Sequence, residues 1–443
     1  MKNKNVHIKI SIFWFRRDLR INDNHGLYEA LKSSDKILPL FIFDKNILDE
    51  LKDKKDRRVS FIYKALENLN KEFVKHDSSL FTIHDTPLNA FKTICNNFEV
   101  KAVYTNHDYE PYAIDRDKQI SDFLISENIA FHTFKDQVMF EKSEVMKSDG
   151  TPYTVFTPYS KIWKSKLNDT GVEYFHSEKY LQNLYSLNKF KLISLKDIGF
   201  NKVDVEFKPV LPSKNIIKNY EESRNIPSVN GTSHMSAHLR FGTVSVRELA
   251  KLAQELNDQW LNELIWREFF MMILFHFPKI VTQSFKEKYD QIKWQNNKIQ
   301  FKLWCLGETG YPMVDAGMRE LNQTGFMHNR VRMITASFLT KHLLIDWRWG
   351  EAYFAEKLLD YELSSNNGNW QWAAGSGCDA APYFRIFNPM TQQQKFDPDF
   401  IYIKKWIKDF KPGYIYPIID HEYARKHALE VYAKAVRENY IRY

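Results

Sequence analysis

The sequence predicts an α/β domain followed by a mainly α-helical domain, and three observations support this prediction. The chain has 443 residues, and single hydrophobic cores stop growing at roughly 250–300 residues, so we expect at least two domains. Short β-rich runs alternate with longer amphipathic stretches in the first third of the chain, which is typical of a parallel, Rossmann-like sheet. From about residue 220 onward the apolar residues recur with helical period, which indicates helices.

The α/β domain is predicted for residues 1–138. Its strands are expected at residues 8–15, 37–43, 80–84 and 101–106, and an amphipathic helix is expected at residues 57–73. Repeated βα units make the strands parallel and place helices on both faces of the sheet. No GxGxxG or GxxxxGK[ST] motif follows these strands, so neither a dinucleotide fingerprint nor a P-loop is indicated there.

A connector and the helical domain complete the predicted organisation. Residues 139–215 are rich in Lys, Ser, Asn and Asp and contain four prolines that interrupt regular structure, so they are the predicted connector. The helical domain is predicted for residues 216–443, and its helices are expected at residues 246–256, 261–275 and 330–344.

The formal net charge of +8 favours an acidic partner, because a basic surface gains free energy by releasing counterions from a phosphate backbone. Nucleic acid is the first candidate, and a solvated Lys-rich surface is the alternative that composition leaves open. The three cysteines form no CxxC or zinc pattern, which indicates no metal and fits a reduced cytoplasmic chain. The N-terminus has no signal-peptide pattern, and the longest apolar run, residues 269–277, is too short to span a membrane. We expect a soluble monomer without membrane contacts.

Residues 231–236, Gly-Thr-Ser-His-Met-Ser, precede a predicted helical stretch at residues 237–240. Three hydroxyls and free backbone N–H groups at a helix start suit a phosphate group. A simple N-cap is the alternative.

One face of the predicted helix 261–275 carries Glu263, Trp266, Arg267 and Phe270. Their i, i+3, i+4 and i+7 spacing brings a carboxylate, an indole and a guanidinium together. The alternative is a surface ion pair between Glu263 and Arg267 beside two core aromatics.

Two further segments carry polar and aromatic side chains at helical spacing. Asn329 and Met333 share one helical face, whereas Arg332 points elsewhere. Trp370 and Trp372 point about 200° apart on a helix, so they cannot both face one core. Spacing alone does not place other tryptophans near them.

Four segments resemble the DNA photolyase and cryptochrome family, and the detail is closest to class I cyclobutane pyrimidine dimer photolyases. They are residues 14–20 (WFRRDLR), 263–269 (ELIWREF), 327–333 (MHNRVRM) and 366–389 (from NNGNWQW). They occur in family order across nearly the whole chain. The resemblance implies an N-terminal α/β domain, a long connector and a helical FAD domain.

The resemblance implies that FAD is the cofactor. Its phosphates and ribityl chain are expected to contact Tyr220, Thr232, Ser233, His234, Met235, Ser236, Trp260 and Arg267. His234 stands where the family more usually has Arg. The flavin ring is expected to lie beside Arg332, Asp360, Tyr361, Glu362 and Asn366. Asn366 matches the residue that faces flavin N5, where an amide can hydrogen-bond without forcing a proton on or off.

The resemblance also implies a pocket for a damaged pair of DNA bases. The expected contacts are Arg224, Glu263, Trp266, Asn329, Arg330, Met333 and Trp372. The two indoles would form flat walls for an extruded dimer, and Glu263 and Asn329 would hydrogen-bond its base edges. The two arginines would hold phosphates.

The resemblance implies deoxyribodipyrimidine photo-lyase activity. Reduced anionic FAD, excited by blue light, donates one electron to the dimer, whose two bridging carbon–carbon bonds break before the electron returns. Glu263 and Asn366 belong to the expected catalytic set. Trp370, Trp347 and Trp294 match the family's tryptophan chain, which reduces oxidised FAD in light.

Other functions within and outside the family are alternatives. Many cryptochrome light sensors carry long C-terminal extensions, whereas this chain ends at Tyr443 soon after residues 416–432. A 6-4 photolyase typically has a histidine where Met333 stands, and an iron–sulfur photolyase needs four ligand cysteines. A basic nucleic-acid binder from outside the family leaves the order of the motifs unexplained.

A second, light-harvesting chromophore is possible in the α/β domain. Family members that bind folate have Asn and Glu shortly after the equivalent of Tyr109-Glu110, whereas this chain has Tyr112 and Ala113. A folate is therefore not expected, and a deazaflavin, a flavin or an empty pocket are the remaining alternatives.

Overall fold

The N-terminal part of the chain forms a parallel sheet in the computed structural model, which describes residues 9–437 except 34, 187–189, 208–210, 412 and 414–415. The strands are β1 (Lys9–Phe15), β2 (Ile37–Asp44), β3 (Phe81–Asp85), β4 (Glu99–Asn106) and β5 (Ala130–Phe134). Their order is β3-β2-β1-β4-β5, and every neighbouring pair is parallel. The predicted fold class is confirmed. Ile8, the first residue of a predicted strand, lies outside the described residues.

The described helices occupy the rest of the regular structure. In chain order they are α1 (His25–Lys32), α2 (Lys45–Leu48), α3 (Arg57–Val74), α4 (Pro87–Asn97), α5 (Pro111–Ser126), α6 (Phe156–Thr170), α7 (Lys214–Lys218), α8 (Tyr220–Ser223), α9 (Ser236–Phe241), α10 (Val246–Leu256), α11 (Asp258–His276), α12 (Lys298–Leu306), α13 (Pro312–Thr324), α14 (Asn329–Ser337), α15 (Trp347–Lys357), α16 (Leu363–Ala374), α17 (Pro389–Phe396), α18 (Ile401–Trp406) and α19 (His421–Arg437). Short 3₁₀ segments lie at Ser177–Asn183, Pro278–Val281 and Glu287–Gln291.

The chain divides into two compact units. The first contains the residues up to Glu141, Leu167–Leu211 and Met235–Leu252, and the second contains Lys142–Lys166, Pro212–His234 and the residues from Ala253 onward. Residues 139–215 and 216–252 are thus shared between the units. The contiguous boundaries at 138 and 215 stay a prediction.

Both faces of the sheet in the first unit are covered by helices. Ile12 and Trp14 of β1 pack in one buried cluster with Phe91 of α4 and with α5. Phe15, which points to the opposite face, packs against Phe73 of α3 at a ring distance of 5.9 Å. The alternation of β1 side chains between two apolar layers is the reason that this strand reads as a continuous hydrophobic run.

Four buried charges join distant segments of the first unit. Arg247 donates to Asp23 and to Asp136 at 2.8 Å each, and Arg20 donates to the same Asp136 at 2.8 Å. These side chains are at most 8% exposed. Removing one partner from such a buried network leaves an uncompensated charge, which is strongly unfavourable. Separating Arg247 from Asp23 and Asp136 would therefore be costly, so the network holds Arg247 against the N-terminal segment.

The core of the second unit is built by α12–α16 and α18. Trp304, Trp347 and Trp370 lie in this cluster, and each is at most 2% exposed. Helices α11 and α16 also contact each other directly. No described helix is long and apolar enough to cross a membrane.

Two details of the predicted secondary structure were wrong. Strand β5 was not predicted, because its sequence AFHTF lies at the edge of the sheet, half-exposed and without a hydrophobic alternation. The stretch 330–344 is not one α-helix, since α14 ends at Ser337 and a π-helical turn follows at Phe338–His342.

Candidate functional site

Helix α16 is the centre of the candidate site. It runs from Leu363 to Ala374 and ends at Gly375, whose φ of 92° provides a left-handed C-terminal cap. Trp370 is 2% exposed and lies in the core, whereas Trp372 is half-buried at the edge of the same cluster. The two indoles differ in exposure, yet both lie in or against this one cluster, so the expectation that they cannot both face one core is wrong.

Two glycines allow the neighbours of α16 to approach closely. A Cβ on Gly368 would overlap the ring of Phe270 on α11, and a Cβ on Gly350 of α15 would overlap the Trp370 indole. Both positions therefore require glycine for packing. The close approach fixes α16 between α11 and α15.

A cavity beside α16 brings together residues from both predicted sets. Nine of its lining residues were predicted from the sequence, namely Asn329, Arg332, Met333, Asp360, Tyr361, Glu362, Asn366, Trp370 and Trp372. Ala336, Phe354, Leu358 and Ala373 supply apolar walls. One cavity thus joins the predicted flavin contacts to three predicted lesion contacts.

The ion pair between Arg332 and Asp360 lies on this cavity. Arg332 Nη2 donates to Asp360 Oδ2 at 2.9 Å, and Arg332 Nε donates to the Met327 carbonyl at 2.7 Å. Asp360 Oδ1 is buried and accepts no hydrogen bond from any residue that the structure describes. A buried carboxylate oxygen without a donor calls for one from a ligand. The polar, N–H-bearing edge of a flavin fits this requirement.

Asn366 is held by α15. Its Nδ2 donates to Glu351 Oε1 at 2.8 Å and to the Glu351 carbonyl at 3.1 Å. Burial raises the pKa of Glu351, and the hydrogen bond from Asn366 acts in the opposite direction. Because Nδ2 is committed to Glu351, the amide oxygen is the group left to face the cavity.

Arg267 and Glu263 each have a different partner from the one suggested by their spacing. Arg267 Nη2 donates to Glu362 Oε1 at 3.1 Å, and Ser365 donates to the other Glu362 oxygen at 3.0 Å. Glu263 instead forms an ion pair with Arg224. The alternative of a surface pair between Glu263 and Arg267 is wrong, because α11 faces different partners at the two positions.

The ion pair of Arg224 with Glu263 joins a predicted phosphate contact to a predicted base contact. Gln259, one turn earlier on α11, donates to Glu263 Oε1 at 3.3 Å. Burial raises the pKa of Glu263, while the guanidinium of Arg224 favours the ionised form. The carboxylate therefore has Arg224 and Gln259 as side-chain partners.

Arg330 is positioned by two groups that sequence reasoning missed. Its Nη2 donates to Asn225 Oδ1 at 2.7 Å, and its guanidinium lies 4.5 Å from the centre of the Phe396 ring. His328 caps α14, accepting a hydrogen bond from the Arg330 N–H at 3.2 Å. The capped helix end holds Asn329 and Arg330 in place.

Trp266 is covered on one face by another aromatic ring. The Phe156 ring, from the first residue of α6, lies parallel to the indole at a centroid distance of 3.7 Å and an angle of 3°. Phe270 is tilted by 30° at 5.5 Å. Trp266 remains half-buried, so part of the indole is accessible.

The residues predicted to contact the FAD phosphates do not all belong to one unit. Thr232, Ser233 and His234 belong to the second unit, whereas Met235 and Ser236 belong to the first. Met235 is the N-cap residue of α9, which has no side-chain cap. The simple N-cap alternative is therefore wrong.

The backbone at residues 231–234, in the second unit, has two special features. A Cβ on Gly231 would come within 2.6 Å of Ser223 Cβ, so this residue must be small where the chain passes α8. His234 has a φ of 54°, which is uncommon for a side chain with a Cβ. Such conformations are concentrated at ligand sites.

The remaining predicted cofactor contacts of the second unit lie on α8 and at the start of α11. Tyr220 is half-buried, with the Arg224 guanidinium 5.5 Å from its ring centre. Trp260 is 3% exposed, and its N–H donates to the N-cap Asn257 at 2.9 Å. Their cofactor contacts stay predictions.

The three tryptophans of the predicted chain lie in or against one buried cluster. Trp370 lines the cavity, Trp347 lies in the same cluster, and Trp294 packs against it half-buried. Sequence reasoning missed Trp304, which is fully buried with its ring centre 6.1 Å from that of Trp370. Its place in an ordinary helical pattern gave no indication of this proximity.

Family models match both parts of the chain. The model described as the FAD binding domain of DNA photolyase matches residues 260–412, and the model described as DNA photolyase matches residues 11–177. A deoxyribodipyrimidine photo-lyase of Escherichia coli strain K12 is 35% identical over 96% of this chain and 98% of its own length. The chain belongs to the DNA photolyase family.

Further relatives of this photolyase-family chain come from several branches. A deoxyribodipyrimidine photo-lyase of Synechococcus is 34% identical over 95% of this chain and 96% of its own length. A class III photolyase of Agrobacterium tumefaciens has a TM-score of 0.84 at 30% identity, covering 98% of this chain and 99% of its own. A Synechocystis cryptochrome has a TM-score of 0.83 at 26% identity, covering 96% and 99%.

The comparisons confirm the family, the FAD cofactor and the assignment to the photo-lyase enzymes. A Sulfolobus tokodaii photolyase described with two FAD molecules has a TM-score of 0.82 at 32% identity, covering 96% of this chain and 100% of its own. This relative is consistent with a second chromophore. The class I assignment stays a prediction, because the solved relatives include class III.

Proposed function

We propose that this photolyase repairs cyclobutane pyrimidine dimers in DNA, using light absorbed by FAD. The observation that carries the proposal is the single cavity lined by Arg332, Asp360 and Asn366 together with Asn329, Met333 and Trp372. A site for this reaction needs a flavin and an extruded pyrimidine dimer in direct proximity. The names of the curated relatives support the same substrate.

The chemistry of the lining residues favours the cyclobutane dimer over the 6-4 lesion. Met333 lines the cavity and cannot donate or accept a proton in the way a histidine does. Splitting a cyclobutane ring after it gains an electron requires no proton donor at that position. Bound FAD supplies the excited electron.

The protein side chains bind and orient the two reactants. Arg332 and Asp360 would hold the flavin ring. Arg267 would contact the phosphates or ribityl chain of FAD, and its ion pair with Glu362 would orient it. Trp372 offers an apolar wall for the extruded dimer, and Asn329, which is exposed, can hydrogen-bond a base edge. Apolar walls also exclude water, which strengthens the electrostatic contacts inside.

Arg224 and Arg330 would contact the DNA backbone around the extruded dimer. We propose that they release their present partners, Glu263 and Asn225, when a phosphate binds. Glu263 would then be free to accept a hydrogen bond from a base. We also propose that the protein acts on DNA as a cytoplasmic monomer.

The experiment uses oligonucleotides that contain one defined lesion, either a cyclobutane dimer or a 6-4 product. The reduced holoprotein is illuminated with blue light, and restored bases are quantified by chromatography. We expect restoration of the cyclobutane dimer alone. Restoration of only the 6-4 lesion assigns the protein to that branch, and restoration of neither lesion with fully reduced FAD favours a cryptochrome. The chromophores released on denaturation identify any second chromophore in the same preparation.

A further inference from the structure

We propose that Phe156 is a positioning residue for lesion binding, which fixes the plane of the Trp266 indole before DNA arrives. The inference rests on the proposed function, because it takes Trp266 as a wall of the lesion pocket. The parallel stacking at 3.7 Å with an angle of 3° is the observation that carries it. Phe156 acts through Trp266 and need not touch the lesion.

The two rings form part of a braced aromatic group, defined by Phe156, Trp266 and Phe269. The fully buried Phe269 ring lies nearly perpendicular to both stacked rings, at centroid distances of 5.9 Å to Phe156 and 5.6 Å to Trp266. Stacked and edge-to-face contacts of this kind are favourable arrangements of aromatic rings. Phe270, tilted by 30° at 5.5 Å, is a third aromatic neighbour, and the three rings together restrict the rotation of the indole.

The backbone of Phe156 is also fixed from a distance. Its N–H donates to Asp379 Oδ2 at 3.0 Å. The first N–H groups of a helix have no partner within the helix, and a carboxylate at that end is favourable. Asp379 follows the C-terminal cap of α16, the helix that carries Trp372. The contact thus links Phe156, which stacks on the predicted lesion wall Trp266, to the segment that follows α16, the helix that carries the second predicted wall, Trp372.

Preorganisation gives this arrangement a functional consequence. Trp266 is half-buried, and without its stacked neighbour the indole would gain rotational freedom that lesion binding must remove. Immobilising one large side chain weakens binding by about threefold to tenfold. Undamaged duplex lacks an extruded base that would contact Trp266, so its affinity is expected to depend little on Phe156.

The test compares Phe156→Leu, which removes the ring, with Phe156→Tyr, which keeps it. Dissociation constants are measured in the dark for duplexes with and without one cyclobutane dimer, and repair yield is measured at saturating lesion. We expect Phe156→Leu to weaken lesion binding about threefold to tenfold, with undamaged duplex and saturated yield changed less than about twofold. Phe156→Tyr should retain the parental affinity.

Phe285→Leu is the matched control. Phe285 is also a half-buried phenylalanine of the second unit, it contacts another ring at 5.1 Å, and its N–H donates to the distant Gln371 side chain at 2.8 Å. A lesion-specific loss in this variant as large as in Phe156→Leu would overturn the proposal, since any lost ring would then have the same effect.

A double-mutant cycle with Trp266→Ala separates positioning from general stabilisation. If Phe156 acts through Trp266, Phe156→Leu should have no further effect in the Trp266→Ala background. Equal losses in both backgrounds would overturn the positioning role while leaving the proposed function intact. Failure of the parent to bind or repair the dimer would instead overturn the proposed function.

Asp379→Ala gives a second route to the same result. It removes the acceptor for the Phe156 N–H without changing either ring, so a smaller lesion-specific loss, about twofold to threefold, is expected. The ratio of bound FAD to protein serves as the check that each variant is folded. Unchanged lesion affinity in folded Asp379→Ala and folded Phe156→Leu would reject the inference.

Discussion

Asn366 Nδ2 donates to Glu351 Oε1 at 2.8 Å, and this contact orients the amide that faces the cavity. Asn366 is buried and Glu351 is half-buried, and they belong to adjacent helices, α16 and α15. An amide whose donor group is already bonded presents its oxygen to a ligand. Glu351 thus determines which end of Asn366 meets the flavin.

Glu351→Leu should therefore destabilise the protein and alter the bound flavin. The buried Asn366 donor loses its side-chain acceptor, which is expected to lower the free energy of unfolding by about 1–3 kcal/mol. The amide is then less strictly oriented, so reduced FAD should reoxidise in air at a different rate. Denaturant titration and absorbance decay measure the two effects. Glu356→Gln, an exposed position on the same helix, is the control, and equal behaviour of the two variants would contradict the role of Glu351.

Trp370→Phe should slow light-driven reduction of oxidised FAD by at least an order of magnitude. The substitution removes the oxidisable indole that lines the cavity and retains most of its packing volume. Repair by chemically pre-reduced protein should persist, because that reaction does not require the tryptophan chain. Flavin absorbance under illumination with an added reductant measures the rate. Trp349→Phe, which packs half-buried against the same cluster, should behave like the parent.

The ion pair of Arg224 with Glu263 predicts opposite effects of the two substitutions on undamaged DNA. Arg224→Gln removes a phosphate contact, so affinity should fall and the slope of log K against log salt should decrease by about one unit. Glu263→Gln releases Arg224 from its counter-charge, so undamaged duplex should bind slightly more tightly while dimer repair falls. The dissociation constant for undamaged duplex, measured over a range of salt concentrations for the parent and both variants, gives the affinities and the slopes. Identical salt slopes for Arg224→Gln and the parent would remove Arg224 from the DNA interface.

Trp266→Ala should weaken dimer binding by about 1–3 kcal/mol, if the indole stacks on a base. Its effect on undamaged duplex should be much smaller, because that affinity comes mainly from phosphate contacts. Dissociation constants measured for damaged and undamaged duplex, with the parent and with the variant, show how much of the loss is specific to the dimer. A loss shared equally by the two duplexes would mean that Trp266 supports the fold rather than the lesion.

His328 should make the protein acid-labile. Burial lowers the pKa of His328 to about 4, from an ordinary value of 6.5, and the nearby arginines act in the same direction. The neutral ring is the form that accepts the Arg330 N–H. Its contribution to stability is therefore fully present above about pH 6.5 and is lost as the pH falls towards 4, amounting to at most about 3 kcal/mol.

His328→Asn tests this pH dependence, because asparagine also caps helices but does not titrate. Its unfolding free energy should fall less steeply than that of the parent between about pH 6.5 and 4. His76→Asn, at an exposed position, is the control. Parallel pH profiles of His328→Asn and the parent would contradict this prediction, because they would mean that unfolding does not change the pKa of His328.

The fold was largely predictable because its strongest patterns are local. Helix α11 was expected at residues 261–275 and is found at Asp258–His276, since an uninterrupted apolar period precedes and follows its charged residues. The first residues of this helix, from Asp258, were not predicted. They depend on the N-cap Asn257, whose side chain accepts a hydrogen bond from the backbone N–H of Trp260. Strand β5 lacks such a pattern, and it is an edge strand that depends on pairing with β4 and on contacts with α1 and α5.

The contacts within the candidate site were less predictable than its members. Family motifs supplied most of the lining residues, including Arg332 and Asp360. The partners that hold them come from other helices: Glu351 is 15 residues from Asn366, and Phe156 is about 110 residues from Trp266. No periodicity in one segment encodes which residue of another segment packs against it, so these pairs require the structure.

The buried charge network around Asp23 has a consequence for protein synthesis. Asp23 and Asp136 obtain their shared guanidinium from Arg247, which is translated more than a hundred residues after the last strand. A nascent chain that has emerged only through Asp136 has Arg20 as a partner for that carboxylate. The Asp23 carboxylate still lacks Arg247, and burying it then is unfavourable. The sheet can therefore reach its final stability only after Arg247 has left the ribosome, so folding of the first unit is expected to finish late in synthesis.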